Sequence, residues 1–155
     1  FLDEHPAFAM GLLNYGAALL DLGRAAEALP VVERLFSKTS MPAALCAIAH
    51  ARYELGQFSE AKETLSHLYK IRESRGCSPM IMALGHIVID EREQALEWLE
   101  QALKERDYRL VLLGGIIPFD KIRDATTFKR IFQQIFVGDG GTGWDDLVHG
   151  SSQDN

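Results

Sequence analysis

The residues able to do nucleophilic or metal chemistry in this chain are few: five histidines (His5, His50, His67, His86 and His149) and two cysteines (Cys46 and Cys77). A metal site needs three or four such groups converging, which on one helix means ligands about four residues apart. No two histidines have that spacing, so the pattern predicts ordinary, partly buried imidazoles. His50 and His86 fall on neighbouring helices of the period described below, which could bring them to one groove. A reactive thiolate needs a cationic or helix-terminal setting, and nothing near Cys46 in sequence supplies one. Both cysteines read as small buried hydrophobes, and their number fits a reduced compartment better than a disulfide scaffold. The glycine-rich GDGGTG at residues 138–143 lacks the preceding strand and following helix of a phosphate loop. Met80 and Met82 in PMIMALGHIVI read as core packing. These residues imply no enzyme, no metal and no cofactor.

The elements that hold them are helical. With 155 residues and 47% hydrophobic content the chain can bury a core. A net charge of −6 argues against a nucleic-acid surface, which is normally basic. No run of about 18 apolar residues is present to span a membrane, and a cytoplasmic protein is expected. The opening at Phe1 rather than Met reads as a piece or a processed form of a longer polypeptide.

Three phrases repeat: DLGRAAEALPVV, YELGQFSEAKETL and IDEREQALEWL. Gly23, Gly56 and Asp90 sit at the turn of each, followed by Ala28, Ala61 and Ala95, which are 33 and 34 residues apart. Glycine takes the left-handed conformation that closes a helix, and Asp tolerates it better than most residues. Apolar spacing predicts helices from about Pro6 to Leu22, Ala25 to Phe36 (bent at Pro30), Pro42 to Leu55, and Ser59 to Arg75. The first of these pairs opens on Pro6, and Ser59 is the expected cap of the fourth helix. Ser78 and Pro79 open a fifth helix, and REQALEWLEQALKER is a sixth. A short helix capped by Asp107 follows, then a turn at Phe119–Ile122 and a helix from about Ala125 to Phe136 capped by Asp124.

A period near 34 with a helical hairpin in each unit is the signature of tetratricopeptide repeats, and the chain resembles that family over residues 9 to 105. Its small position on the first helix is matched by Gly16, Ala49 and Ala83, and that on the second by Ala28, Ala61 and Ala95. Val32, Leu65 and Leu99, then Leu35, Leu68 and Ala102, follow a turn apart. Leu12, Leu45 and Pro79 stand where the family has an aromatic, so the third unit departs most. Residues 83–136 also resemble the repeat regions of bacterial regulators, kinases and cyclases, through ALEWLE (Ala95–Glu100), FDKIR (Phe119–Arg123) and DATTF (Asp124–Phe128). Lys121 and Ala125 replace the two prolines of that pattern. The resemblance implies an all-α, antiparallel array of three helix pairs, an α-solenoid, with a C-terminal helical cap. The repeats would cover 9–41, 42–75 and 76–106, the cap 107–137, and a flexible tail 138–155 carries one acidic-apolar island, Trp144–Val148.

The resemblance further implies a protein-interaction scaffold, in which first helices line a concave groove for a peptide or amphipathic helix. The groove positions would be Leu13, Asn14, Ala17 and Leu20, then Cys46, His50 and Tyr53, then Met80, Leu84 and Ile87. The family's carboxylate-gripping variant is not supported, because Leu13, Ala17, Ala47 and Ile81 are uncharged. An apolar groove wants a cover, which could be a partner helix, an upstream part of the polypeptide or a second copy. The other function compatible with size and acidity is a small secretion chaperone of the same repeat type, and the C-terminal capping pattern favours the scaffold.

Overall fold

A computed structural model describes residues 6–137, and every regular element in it is a helix. The order is α1 (Pro6–Asp21), α2 (Ala25–Thr39), α3 (Pro42–Glu54), α4 (Phe58–Arg75), α5 (Pro79–Val88) and α6 (Arg92–Lys104). Two 3₁₀ helices, Tyr108–Gly115 and Ile117–Ile122, then lead into α7 (Thr126–Phe136). The expected tail with its Trp144–Val148 island lies outside the described residues, as do His5 and His149.

One closure ends α1, α3, α5 and α6 alike. Gly23, Gly56, Asp90 and Arg106 each take a positive φ, between 53° and 76°. The next residue's N–H reaches back to a carbonyl five residues earlier: Arg24 to Leu19 at 2.8 Å, Gln57 to Arg52 at 2.8 Å, Glu91 to His86 at 3.0 Å and Asp107 to Ala102 at 2.9 Å. This double-bonded terminus satisfies carbonyls that the helix leaves orphaned and turns the chain sharply into its next element. The following helices then start without the expected side-chain caps. Because Gln57 is already tied back to Arg52, α4 begins at Phe58 and Ser59 falls inside its first turn. The cap position of α7 is likewise Ala125 rather than Asp124, with Ala125 N–H bonded to Ile122 O at 3.0 Å. Asp107 does cap the first 3₁₀ helix, accepting from Arg109 N–H at 3.1 Å.

Each helix from α1 to α4 packs on its successor, as α5 does on α6, and α1, α3 and α5 form a row. Short turns force consecutive helices to run antiparallel. Ala28, Ala61 and Ala95, all at 0% exposure, lie in the main core, as do Val32, Leu65 and Leu99. Close approach is demanded at two glycines. A Cβ on Gly16 would stand 2.5 Å from Val32 Cγ1, and one on Gly85 would stand 2.9 Å from both Leu65 Cδ1 and Leu68 Cδ2. The C-terminal segment closes over this end of the array: the 3₁₀ helix Ile117–Ile122 lies on α5 and buries Phe119 and Ile122, while α7 packs on α6 and buries Phe128 and Ile131.

Asp107 ties that segment to the array. Its carboxylate, 4% exposed, accepts from Ser78 Oγ, from Met80 N–H at 3.2 Å at the start of α5, and from Arg109 N–H. Burial works to raise its pKa, but these hydrogen bonds and the nearby Arg109 guanidinium outweigh it and hold the carboxyl below its ordinary value.

Candidate interaction surface

The ten residues expected along the inner faces of α1, α3 and α5 divide by depth. Asn14 and Ala17 are exposed; Leu13, His50, Tyr53 and Leu84 are half-buried. Leu20, Cys46, Met80 and Ile87 are buried members of the core, so they lie beneath the surface and present nothing to a partner. On α5 only Ile81 and Leu84 escape full burial. The absence of charge on PMIMALGHIV therefore reflects burial from several sides. It packs against α3, α4, α6 and the Ile117–Ile122 segment, and non-periodic contacts of that last kind are invisible to a repeat pattern.

What remains open on the inner side is polar at its centre. His50 Nε2 lies 3.8 Å from Glu54 Oε1. Burial pushes the His50 pKa down; Glu54 pulls it up, Lys121 pushes it down and Asp21 pulls it up. Asp21 ends α1, Glu54 ends α3, and Lys121 belongs to the second 3₁₀ helix, so three separate elements bring charge to one imidazole. Tyr53 faces the turn, edge-on to Phe58 with ring centroids 5.1 Å apart.

His86 does not join His50. It is buried at 4% exposure and points the other way, between α4 and α6. Its Nδ1 is 2.7 Å from Glu91 Oε2 and its Nε2 2.7 Å from the Tyr69 hydroxyl, which accepts from Trp98 Nε1 at 3.2 Å. Arg72 stacks over the Trp98 ring at 4.8 Å and bonds Glu105 at 3.0 Å. The repeat register held the signal for this orientation. His86 is 34 residues after Arg52, not after His50, and Arg52 also turns toward second helices, bonding Thr64 Oγ1 at 2.8 Å and Glu33 at 3.0 Å.

The cysteines are chemically quiet. Burial pushes the Cys46 thiol far up, with Cys77 nearby adding to the effect, and its S–H donates to Ile81 O at 3.4 Å. Burial also raises Cys77, against the pull of Arg72, Arg109 and Arg75. Among the described residues, no three His, Cys, Asp or Glu side chains gather as a metal site would require, and no helix is long and apolar enough to cross a membrane. Neither protein-family models nor curated proteins nor solved structures match this chain.

Proposed function

We propose that this chain is a tetratricopeptide-like repeat protein, three helix pairs and a C-terminal cap, that works as a non-catalytic scaffold by holding a peptide or helix of another protein. The observation that carries the reading is the recurrence of one closure at Gly23, Gly56 and Asp90, each followed by a fully buried alanine five residues on. Arrays of this kind stack units that cannot bury their faces alone, and the surface common to their first helices is their usual binding side. Here that surface runs from Asn14 and Ala17 past the His50 imidazole to Leu84, with Asp21, Glu54 and Lys121 at its centre. Such a mixture suits a segment that buries a few apolar side chains and answers both signs of charge, rather than a purely apolar helix.

The test is site-specific photocrosslinking in extracts of the source cells, with the probe placed at Asn14, Ala17 or Leu84 and, as a control, at Glu63 on the exposed side of α4. A protein captured from the inner positions and not from Glu63 supports the scaffold. Equal capture from both, or none from the inner positions, overturns it.

A further inference from the structure

Tyr69 on α4, His86 on α5 and Glu91 at the start of α6 stand in the order of a nucleophile, its base and the group that orients the base. Glu91 Oε2 lies 2.7 Å from His86 Nδ1, and His86 Nε2 lies 2.7 Å from Tyr69 Oη. An ionised carboxylate can only accept, so it holds the neutral ring with its proton on Nδ1 and turns the lone pair of Nε2 toward the phenolic hydrogen. Both distances are within the reach that such partners need. The base is shielded at 4% exposure, whereas Tyr69 is 36% exposed, so an outside molecule meets the hydroxyl-bearing ring first. The Trp98 indole N–H donates to the same oxygen at 3.2 Å and stabilises negative charge that grows there. A phenolic oxygen can accept twice, and among the described residues Trp98 is its one donor, which leaves a lone pair for a reacting atom.

We propose that Tyr69 is an activated nucleophile that takes up an acyl group from an activated ester. Tyr69 Oη attacks the ester carbonyl carbon; the new Oη–C bond forms and the bond from that carbon to the leaving oxygen breaks. The phenolic proton passes to His86 Nε2 and from there to the leaving oxygen, while Glu91 stays ionised and steadies the imidazolium. The protein ends as the Tyr69 ester. Nearby cations are committed elsewhere: Lys62 faces Glu91 at 3.7 Å, and Arg72 bonds Glu105 and the Cys77 carbonyl while stacking on Trp98. An uncharged carbonyl therefore suits the site better than a phosphoryl group, whose transfer calls for cations at the reacting oxygens. The site lies among second helices and stands or falls separately from the inner-face scaffold.

The test treats the 155-residue chain with p-nitrophenyl acetate and follows acetylation at each tyrosine by peptide mass spectrometry. Tyr69 should acetylate at least about tenfold faster than Tyr15 and Tyr108, although these are more exposed, at 54% and 71%. Glu91→Gln should slow Tyr69 at least about tenfold with unchanged circular dichroism, and Lys62→Ala should change it less than about twofold. The sign of the Glu91→Gln effect separates activation from packing, because a network that only packed would loosen, expose the ring and speed its labelling. Between pH 9 and 7 an ordinary phenol, with a pKa of about 10, loses about a hundredfold in reactivity, and Tyr69 should lose less than about tenfold. Acetylation of Tyr69 no faster than that of Tyr15 and Tyr108 overturns the proposal. So does a Glu91→Gln rate equal to or above the parent's, or a fall with pH as steep as that of free N-acetyltyrosinamide.

Discussion

The His86 imidazole and the Tyr69 hydroxyl stand 2.7 Å apart, joining α5 to α4 through a side chain that solvent barely reaches. The neighbours assign the protons. Trp98 can only donate to the tyrosine oxygen, so the neutral arrangement has Tyr69 donating to Nε2 while Nδ1–H donates to Glu91. Three helices, α4, α5 and α6, thus share one chain of hydrogen bonds from Glu91 to Trp98.

Tyr69→Phe leaves the buried Nε2 without its donor and should cost about 1–3 kcal/mol in urea denaturation. Lys62→Ala, which removes only the exposed 3.7 Å partner of Glu91, should cost less than about 1 kcal/mol. Equal losses from the two would mean that the Tyr69–His86 bond is not a structural tie.

Gly16→Ala should destabilise the protein although alanine is the better helix former by about 1 kcal/mol. The added methyl meets Val32 Cγ1, and a β-branched side chain in a helix has little rotamer freedom with which to yield. Thermal melting should show the loss, and Val32→Ala in the same chain should recover part of it. If Gly16→Ala melts higher than the parent, α1 and α2 are not that close.

The four identical helix closures carry two glycines and two residues that pay for a positive φ. Asp90→Gly and Arg106→Gly should therefore raise stability by up to about 1 kcal/mol, while Gly23→Ala lowers it by about the same amount. Arg106→Gly is the cleaner comparison, because Asp90 also accepts from Arg92 Nε at 3.0 Å.

Acid should weaken the fold in two separate ranges. His50 has its pKa depressed below the ordinary 6.5, so the unfolded chain takes up a proton first. Its penalty is absent above 6.5 and grows as pH falls through the lower folded value. Asp107 is also depressed, below 3.8, but it is a carboxylate stabilised in its charged form. Its contribution is complete above 3.8 and disappears as pH falls through its folded value. Denaturation midpoints measured against pH should lose the first slope in His50→Gln and the second in Asp107→Asn. A His50→Gln profile parallel to the parent near pH 6 would refute the assignment.

The helical hairpins were legible because their determinants are local. Gly23 and Gly56 announce a positive φ, and Ala28, Ala61 and Ala95 mark an approach too close for a larger side chain. Helix starts were not legible at Ser59 and Asp124, since a good capping residue is overruled where the preceding turn has already fixed the chain. The depth of Leu20, Cys46, Met80 and Ile87 was equally hidden. Phe119 and Ile122 return to α5 from more than thirty residues away, and nothing in a 34-residue period encodes that return. His86 misled for a different reason: a histidine draws attention to its chemistry, while its register with Arg52 says which way it points.

The Asp107 clamp has a consequence for how the molecule comes apart. In the stacked array proposed above, opening starts at the ends, and these two ends are unequal. At one, a single carboxylate holds the start of α5 and the first 3₁₀ helix together, with α7 packed behind. At the other, among the described residues, α1 packs on α2 and α3 and leaves Tyr15 and Leu22 exposed. Breathing should run in one direction, with amide hydrogens of α1 exchanging first and those of α5 last, so that the array behaves like a zipper fastened at its far end.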